Sequence, residues 1–511
     1  MDHMGLLSLI PPIIAIVMAL CTRNVIISLF LGLFSGILIL SHYNPLNSVT
    51  TVIGDYFFVQ ITDSYNAGIL VLLVFIGGFV ALLEKSGGAV AFASKLAGLI
   101  KSRVKTQLAA WIAGIAIFFS ELGTPLIIGP VFEPLFDKAK VSREKLAWII
   151  DSTASPVSVM IPFIGWGVYI IGLINTEYGR LNITESGWST FIHSIPYYIY
   201  PMLAVLIVPL IVITKLDFGP MAKAERRIKE TGQVYWSDSK PLRKSEGFTE
   251  MKETSSKPIL VWFPILMLLA TLVGLLIPLG FPFEKIEGND FRVALTTAYL
   301  FAGLSIIVLM ALYKVRKIAE AFEIYISGMK RMMDILIILV LAWSLGSVLD
   351  KMGTAKYIVQ LIDGNIPLFL VPAIIFVVGA CMSFANGTSW GTFAIMLPLA
   401  IPLAFHLDIS MYACIGAVIS GGIFGDHCSP ISDTTILSST GAGSDHKDHN
   451  KTQVPIALFN GAITVIAFIV GGLIGYETAI YIAVTLMVIG VLVLFKFYNQ
   501  RTPSSDESYS A

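Results

Sequence analysis

An all-α polytopic membrane protein made of two oppositely oriented copies of one unit is the fold class predicted by three observations. They are the composition, a set of apolar runs broken by polar residues, and short similarities that recur in the same order in both halves. Of 511 residues, 56% are hydrophobic and 13% charged, roughly half the charged share of a soluble globular chain. Lys and Arg number 34, as do Asp and Glu, so no bulk field exists to recruit nucleic acid or an acidic partner. Cys21, Cys381, Cys414 and Cys428 lie in or beside apolar runs without CxxC spacing, as small hydrophobes rather than a redox site or a disulfide framework.

About 20 residues of helix cross the hydrocarbon of a bilayer. Windows of that length place spans at 6–22, 24–41, 68–84, 193–214, 258–280, 291–313, 332–349, 453–475 and 477–498. The first lacks a basic leading region and a small-residue cleavage site, and reads as a retained span. Residues 107–136, 145–174, 367–404 and 411–440 are apolar but interrupted by Gly, Pro, hydroxyl, Asn and acidic residues. Membrane depth tolerates such breaks only against protein or a wet cavity. Lys and Arg then set the orientation. Ten in 215–257, and Lys314, Arg316, Lys317, Lys330 and Arg331, mark cytoplasmic connections, whereas 42–67 has none and 175–192 only Arg180. The N-terminus is expected outside and the C-terminal tail, with Lys496 and Arg501, inside. The charge-alternating segment 215–257 is expected to be a flexible cytoplasmic connector.

"LLEKSGGA" at 82–89 is answered by "VLDKMGTA" at 348–355, "GTPLIIGPVFEPL" at 123–135 by "GTFAIMLPLAIPL" at 391–403, and "SPVS" at 155–158 by "SPIS" at 429–432. Three similarities in one order indicate duplication, and the Lys/Arg map inverts one copy relative to the other. The units are 1–214, the linker 215–257, 258–475, and an extra span with tail at 476–511. Inverted repeats with paired broken helices are the architecture of secondary transporters, with the site near the midplane where the breaks meet.

Candidate ligands cluster at those breaks. An acid at a span centre costs on the order of 2.5–3.5 kcal/mol in lipid, so Asp151, Asp426 and Asp433 are expected to face protein or cargo. With Ser155, Ser158, Ser429 and Ser432 they offer the hard oxygens that an alkali ion needs, and Glu121 and Thr124 in "FFSELGTP" join them. Asn386, Thr388 and Ser389 would contact an organic cargo, with Trp166 and Trp390 as apolar walls. His427 would orient Asp426 or carry a proton. Blander readings stand beside these. Intramembrane serines bond back to their own helix, and Thr124 and Thr392, each beside a glycine, would mark helix breaks alone. His446 and His449 in "SDHKDHNK" tempt a metal assignment, but the stretch reads as a hydrated turn. Glu84 and Asp350, each followed by Lys, read as span-end residues that snorkel or pair, and Lys330, Arg331 and Asp334 as a membrane-edge cluster.

"REKLAWIIDSTASPVSVMIPFIGWG" (143–167) and "FGDHCSPISDTTILSSTGAGSDHKDHNKTQVPIAL" (424–458) resemble the NhaC-type sodium/proton antiporter family, part of the ion-transporter superfamily. The resemblance covers nearly the whole chain and is densest at 118–174 and 380–458. It implies sodium-coupled secondary transport in a bacterial inner membrane, by an elevator-like movement of a site-bearing domain against a scaffold. Family members include proton antiporters, a malate/lactate exchanger and sodium-coupled amino-acid carriers. Many antiporter members have an acidic pair closely followed by Asn in the first broken helix, whereas "FFSELGTP" keeps only Glu121, which leaves room for an organic substrate. The function expected is Na+/H+ exchange of NhaC type, with Na+-coupled transport of a small organic solute, an amino acid or a carboxylate, as the alternative. Sodium is the expected ion, no other cofactor is implied, and homodimerisation is left open. An intramembrane aspartyl protease is set aside, since "GIFGD" has Ile423 where its motif needs glycine. A channel, which prefers rings of ligands from several subunits, is set aside as well.

Overall fold

Apolar runs leave the backbone only itself to bond with, and every regular element among the described residues is helical. The computed structural model describes residues 3–97, 102–241, 256–281, 288–362 and 365–499. The first half runs α1 (Ile10–Thr22), α2 (Val25–Leu40), α3 (Pro45–Thr51), α4 (Phe58–Thr62), α5 (Ser64–Lys85), α6 (Gly88–Ala97) and α7 (Arg103–Ala116). After a break come α8 (Gly123–Lys138) and α9 (Arg143–Asp151), then a second break, α10 (Ser155–Ser158), α11 (Gly165–Leu181), α12 (Gly187–Ser194) and α13 (Ile199–Thr214). A helix α14 (Gly219–Thr231) follows.

The second half also has two breaks along its helices. It runs α15 (Ile259–Leu276), α16 (Gly288–Leu312), the connecting helix α17 (Ile318–Lys330), α18 (Met333–Lys351), α19 (Thr354–Ile362) and α20 (Val371–Asn386). Beyond a break lie α21 (Ser389–Leu407) and α22 (Met411–Cys428), then a second break, α23 (Asp433–Gly441), α24 (His446–Ile474) and α25 (Ala479–Asn499). Side-chain caps fix many of these starts, among them Asn24, Asp63, Ser142, Ser410, Ser432 and Asp445, each accepting an N–H from its own first turn, as orphan helix donors require. The halves also interlock. The span α2 packs on α1 and on α18 of the other half, while α16 packs on α15 and on α5.

Nine helices are long and apolar enough to cross a bilayer, or eleven if two bent pairs count as spans, among the described residues. The apolar run 367–404 is two of them, Leu368–Asn386 and Ser389–His406, separated at Gly387. Residues 42–67 are no open connection, since Pro45–Thr62 folds back on α2 at 117° and packs against α18.

The linker differs most from expectation. Up to residue 241 it is a strap rather than a flexible connector, with Glu225 and Arg227 buried and α14 packed on α9 and α24. Its charges pair with the first turn of α9 instead of with water. Arg227 clasps Glu144 at 2.8 and 3.0 Å, and Lys145 Nζ meets Asp217 at 2.6 Å. Its far end reaches the turn before α24, where Tyr235 donates to the Gly443 carbonyl at 2.8 Å and Ser239 to Asp448 at 2.5 Å. Linker residues 242–255, most of the 281–290 connection and Arg501 lie outside the described residues.

Candidate functional site

Each break frees backbone groups, and hydroxyls at the breaks engage them. Thr124 donates to the carbonyls of Ile117 (2.9 Å) and Ser120 (2.8 Å), Thr392 to that of Thr388 (3.1 Å) and Ser158 to that of Phe118 (2.9 Å). Ser429 Oγ accepts from Ile431 N–H at 3.3 Å. Helix ends buried away from water need such partners. At the α20–α21 break Gly387 has φ +68° and lies so close to the Ile431 carbonyl that a Cβ would come within 2.7 Å. That crossing of two breaks admits only glycine without displacement.

The two aspartates meet around one short helix. Asp426, in the last turn of α22, accepts from Ser432 at 2.7 Å and Thr434 at 3.4 Å. Asp151, at the end of α9, accepts from Thr435 at 3.0 Å and Ser438 at 3.2 Å, and from Gln453 on α24 at 2.6 Å. Thr434 and Thr435 are adjacent in sequence, so α23 presents consecutive hydroxyls to an acid from each half. His427 turns away from Asp426. Its Nδ1 meets Tyr200 Oη at 2.8 Å, and its Nε2 lies 3.5 Å from Ser152 Oγ and 3.9 Å from Asp151.

A cavity of about 230 Å³ opens beside Asp426. Glu121, Asp433, Thr388, Ser389, Trp166 and Trp390 also line it. The indoles of Trp166 and Trp390 lie 4.2 Å apart, centroid to centroid. Trp390 Nε1 donates to Glu121 at 3.1 Å and Ser155 to its other oxygen at 3.4 Å, while Tyr169 holds the Trp390 carbonyl at 2.7 Å. Ser389 donates to the Gly422 carbonyl at 3.1 Å, beside Ser383 at 2.6 Å. Asn386, 7% exposed, has neither amide atom paired among the described residues, an expensive state unless a ligand or water completes it.

The structure thus lines one cavity with Glu121, Ser158, Trp166, Thr388, Ser389, Trp390, Asp426 and Asp433, bonds Ser155 and Ser432 to two of its acids, and sets Asp151, His427, Thr124, Ser429 and Asn386 outside its lining. Glu84 and Arg331 have the sequence context of span-edge residues, yet both line this cavity and pair at 3.0 Å. Ser120 also donates to Glu84 at 2.5 Å. Position in the repeated "LLEK" and "VLDK" motifs was the only signal for Glu84. The stretch 444–451 is no hydrated turn. Asp445 caps α24, which therefore starts at His446 and buries His449. Both histidine Nδ1 atoms converge on Ser439 Oγ, at 3.1 and 2.8 Å.

Asp426, Glu121, Asp433, Ser389 and Thr434 bring oxygen-bearing side chains to the lining, beside the Arg331 guanidinium and the two indoles, and these oxygens suit a hard cation rather than a transition metal. Among the described residues no cluster of His, Cys, Asp and Glu could hold a metal of the latter kind.

The model of the Na+/H+ antiporter family matches residues 157–473. A protein of Haemophilus influenzae is 34% identical over 483 residues, 91% of this chain and 90% of its own length. YuiF of Bacillus subtilis, provisionally named an amino acid transporter, is 23% identical over 77% of this chain and 84% of its own. Among solved structures, the fold is similar to that of the Alcanivorax borkumensis YdaH transporter, with TM-score 0.52 and 17% identity over 90% of both chains.

Proposed function

The chain belongs to the Na+/H+ antiporter family, and from that premise we propose that this secondary transporter couples to sodium and exchanges Na+ for H+ in the manner of the NhaC type. One observation carries the reading. The hydroxyl-bearing helix α23 is bonded to a buried aspartate from each half, and one of the two, Asp426, shares a cavity with Glu121. Sodium and proton then compete for Asp426 and its neighbours, whose titration belongs to the group. Exposing that group to each side in turn yields exchange. The reciprocal packing of α2 on α18 and of α16 on α5 across the halves supports inverted repeats and a site-bearing domain moving against a scaffold. In this reading the chain sits in a bacterial inner membrane, N-terminus outside and C-terminus inside.

The test is purified protein in liposomes, with sodium added outside and an interior pH dye. Alkalinisation that requires sodium, and is lost in Asp426→Asn, is the expected result. A wild type that moves sodium without moving protons retires proton exchange.

One observation favours a second reading, Na+-coupled transport of a small organic solute. The cavity is larger than a cage of oxygens closed on one bare ion requires, and two indoles, inclined at 35° with centroids 4.2 Å apart, wall it. Sodium would then order the pocket and raise the affinity for the solute by linkage. Uptake of a labelled amino-acid and carboxylate panel in the same liposomes separates the readings, because solute uptake without dye response selects the second.

A further inference from the structure

Gln453 touches nothing in the cavity, yet its fully buried amide uses both ends. Nε2 donates to Asp151 Oδ2 at 2.6 Å and to the His427 carbonyl at 2.5 Å, and Oε1 faces His449 Nε2 at 2.9 Å. Chemistry fixes which end is which. A main-chain carbonyl only accepts, so the NH2 end must face His427 and Asp151. Oε1 then requires a hydrogen on His449 Nε2, while His449 Nδ1 lies 2.8 Å from the Oγ of Ser439, a hydroxyl that donates to the Thr435 carbonyl at 2.8 Å. Ser439 lies on α23. One side chain of α24 therefore ties together the end of α9, the end of α22 and, through His449, the far end of α23.

We infer that Gln453 is a positioning residue for the cavity site. It sets the spacing of the α9 and α22 ends between which α23 lies, and so the direction in which Ser432 and Thr434 present their hydroxyls to Asp426. His427, whose carbonyl it holds, is covalently next to Asp426, so losing that donor loosens the turn that carries the acid. The inference rests on the reading that Asp426 handles the coupled ion. A side chain that merely filled space would change stability and leave ion affinity alone.

The test uses the full chain with Gln453→Met, which keeps length and bulk but has no donor, and Gln453→Asn, which keeps both amide ends but shortens their reach. In liposomes, Gln453→Met is expected to raise the apparent KM for sodium by about tenfold or more, the usual cost of an outer-layer partner, with most of the maximal rate retained. Gln453→Asn should fall between Met and wild type. An unchanged KM, or a rate that falls only in proportion to folded protein, overturns the inference. Hydrogen exchange of the purified protein is the second arm, with faster exchange confined to residues 427–441 expected for Gln453→Met. A wild type without sodium-dependent flux sinks the transport reading instead. In that case the exchange arm alone decides for Gln453, and unchanged protection over 427–441 overturns it.

Discussion

The two motifs "DSTASPVS" and "DHCSPIS" place an aspartate ahead of a break in corresponding positions of the two halves, yet their carboxylates live differently. Asp151 is walled in by three donors and lies behind the cavity, whereas Asp426 is held by two hydroxyls and lines it. Their helices differ as well. The first turn of α9 is pinned by the strap through Arg227 and Lys145, while α22 begins at a Ser410 cap, with Tyr412 reaching Glu185 at 3.1 and 3.2 Å. The two breaks read alike in sequence, and packing encloses the acid of one and leaves the acid of the other on the cavity.

The largest effect should come from the support. Arg227 and Glu144 are 3% exposed each, and removing one partner of a buried pair strands the other charge at a cost of about 3–5 kcal/mol. Glu144→Gln is expected to lower the melting temperature sharply, and replacing both residues by apolar ones of similar bulk should recover part of the loss. A melting temperature equal to wild type would mean that the strap does not hold α9.

Next comes Asp426→Asn. The substitution removes a buried charge held by two hydroxyls, and losing a charged hydrogen-bonding group costs about 1.5–3 kcal/mol, so sodium-dependent flux is expected to disappear at working concentrations while size-exclusion behaviour stays normal. Asp151→Asn should do the reverse. Its donors lose part of their acceptor at about 1–3 kcal/mol, so stability falls while flux stays measurable, with a smaller rise in sodium KM than Asp426→Asn produces. Equal kinetic damage from both would erase the distinction between support and site.

Much of this was legible in one dimension. An acid inside an apolar run has a desolvation cost that local sequence displays, so the breaks and their aspartates could be found, and the repeated motifs paired them. What escaped acts only across the fold. Glu84 and Arg331 become cavity residues because α5 packs on α17, and neither flanking sequence differs from an ordinary span end. Gln453 sits in an unremarkable polar lead-in to a span, and only the convergence of α9, α22 and α24 gives it three partners. The strap was hidden because a charge-rich segment looks alike whether water or another chain segment satisfies it. The enclosure of Asp151 was hidden for a related reason, since both copies of the motif carry the same residue types.

The smallest predicted effects discriminate most finely. In "SPVS" the first serine, Ser155, serves an acid of the cavity and the last, Ser158, serves a backbone carbonyl. In "SPIS" the roles are exchanged, with Ser432 on Asp426 and Ser429 on a backbone N–H. Equivalent positions therefore do unequal work. Ser432→Ala removes a 2.7 Å bond to a carboxylate, worth about 1.5–3 kcal/mol when charged, and should weaken sodium affinity. Ser155→Ala should do so less, since its bond to Glu121 is 3.4 Å long. Ser429→Ala should cost about 0.5–1.5 kcal/mol of stability and leave the sodium KM unchanged, and Ser158→Ala, whose hydroxyl is spent on the Phe118 carbonyl although the residue lines the cavity, should cost as much stability and move the sodium KM less than Ser155→Ala. If the four variants instead grouped by motif position, Ser155 with Ser429 and Ser158 with Ser432, sequence equivalence rather than packing around the cavity would be setting their roles.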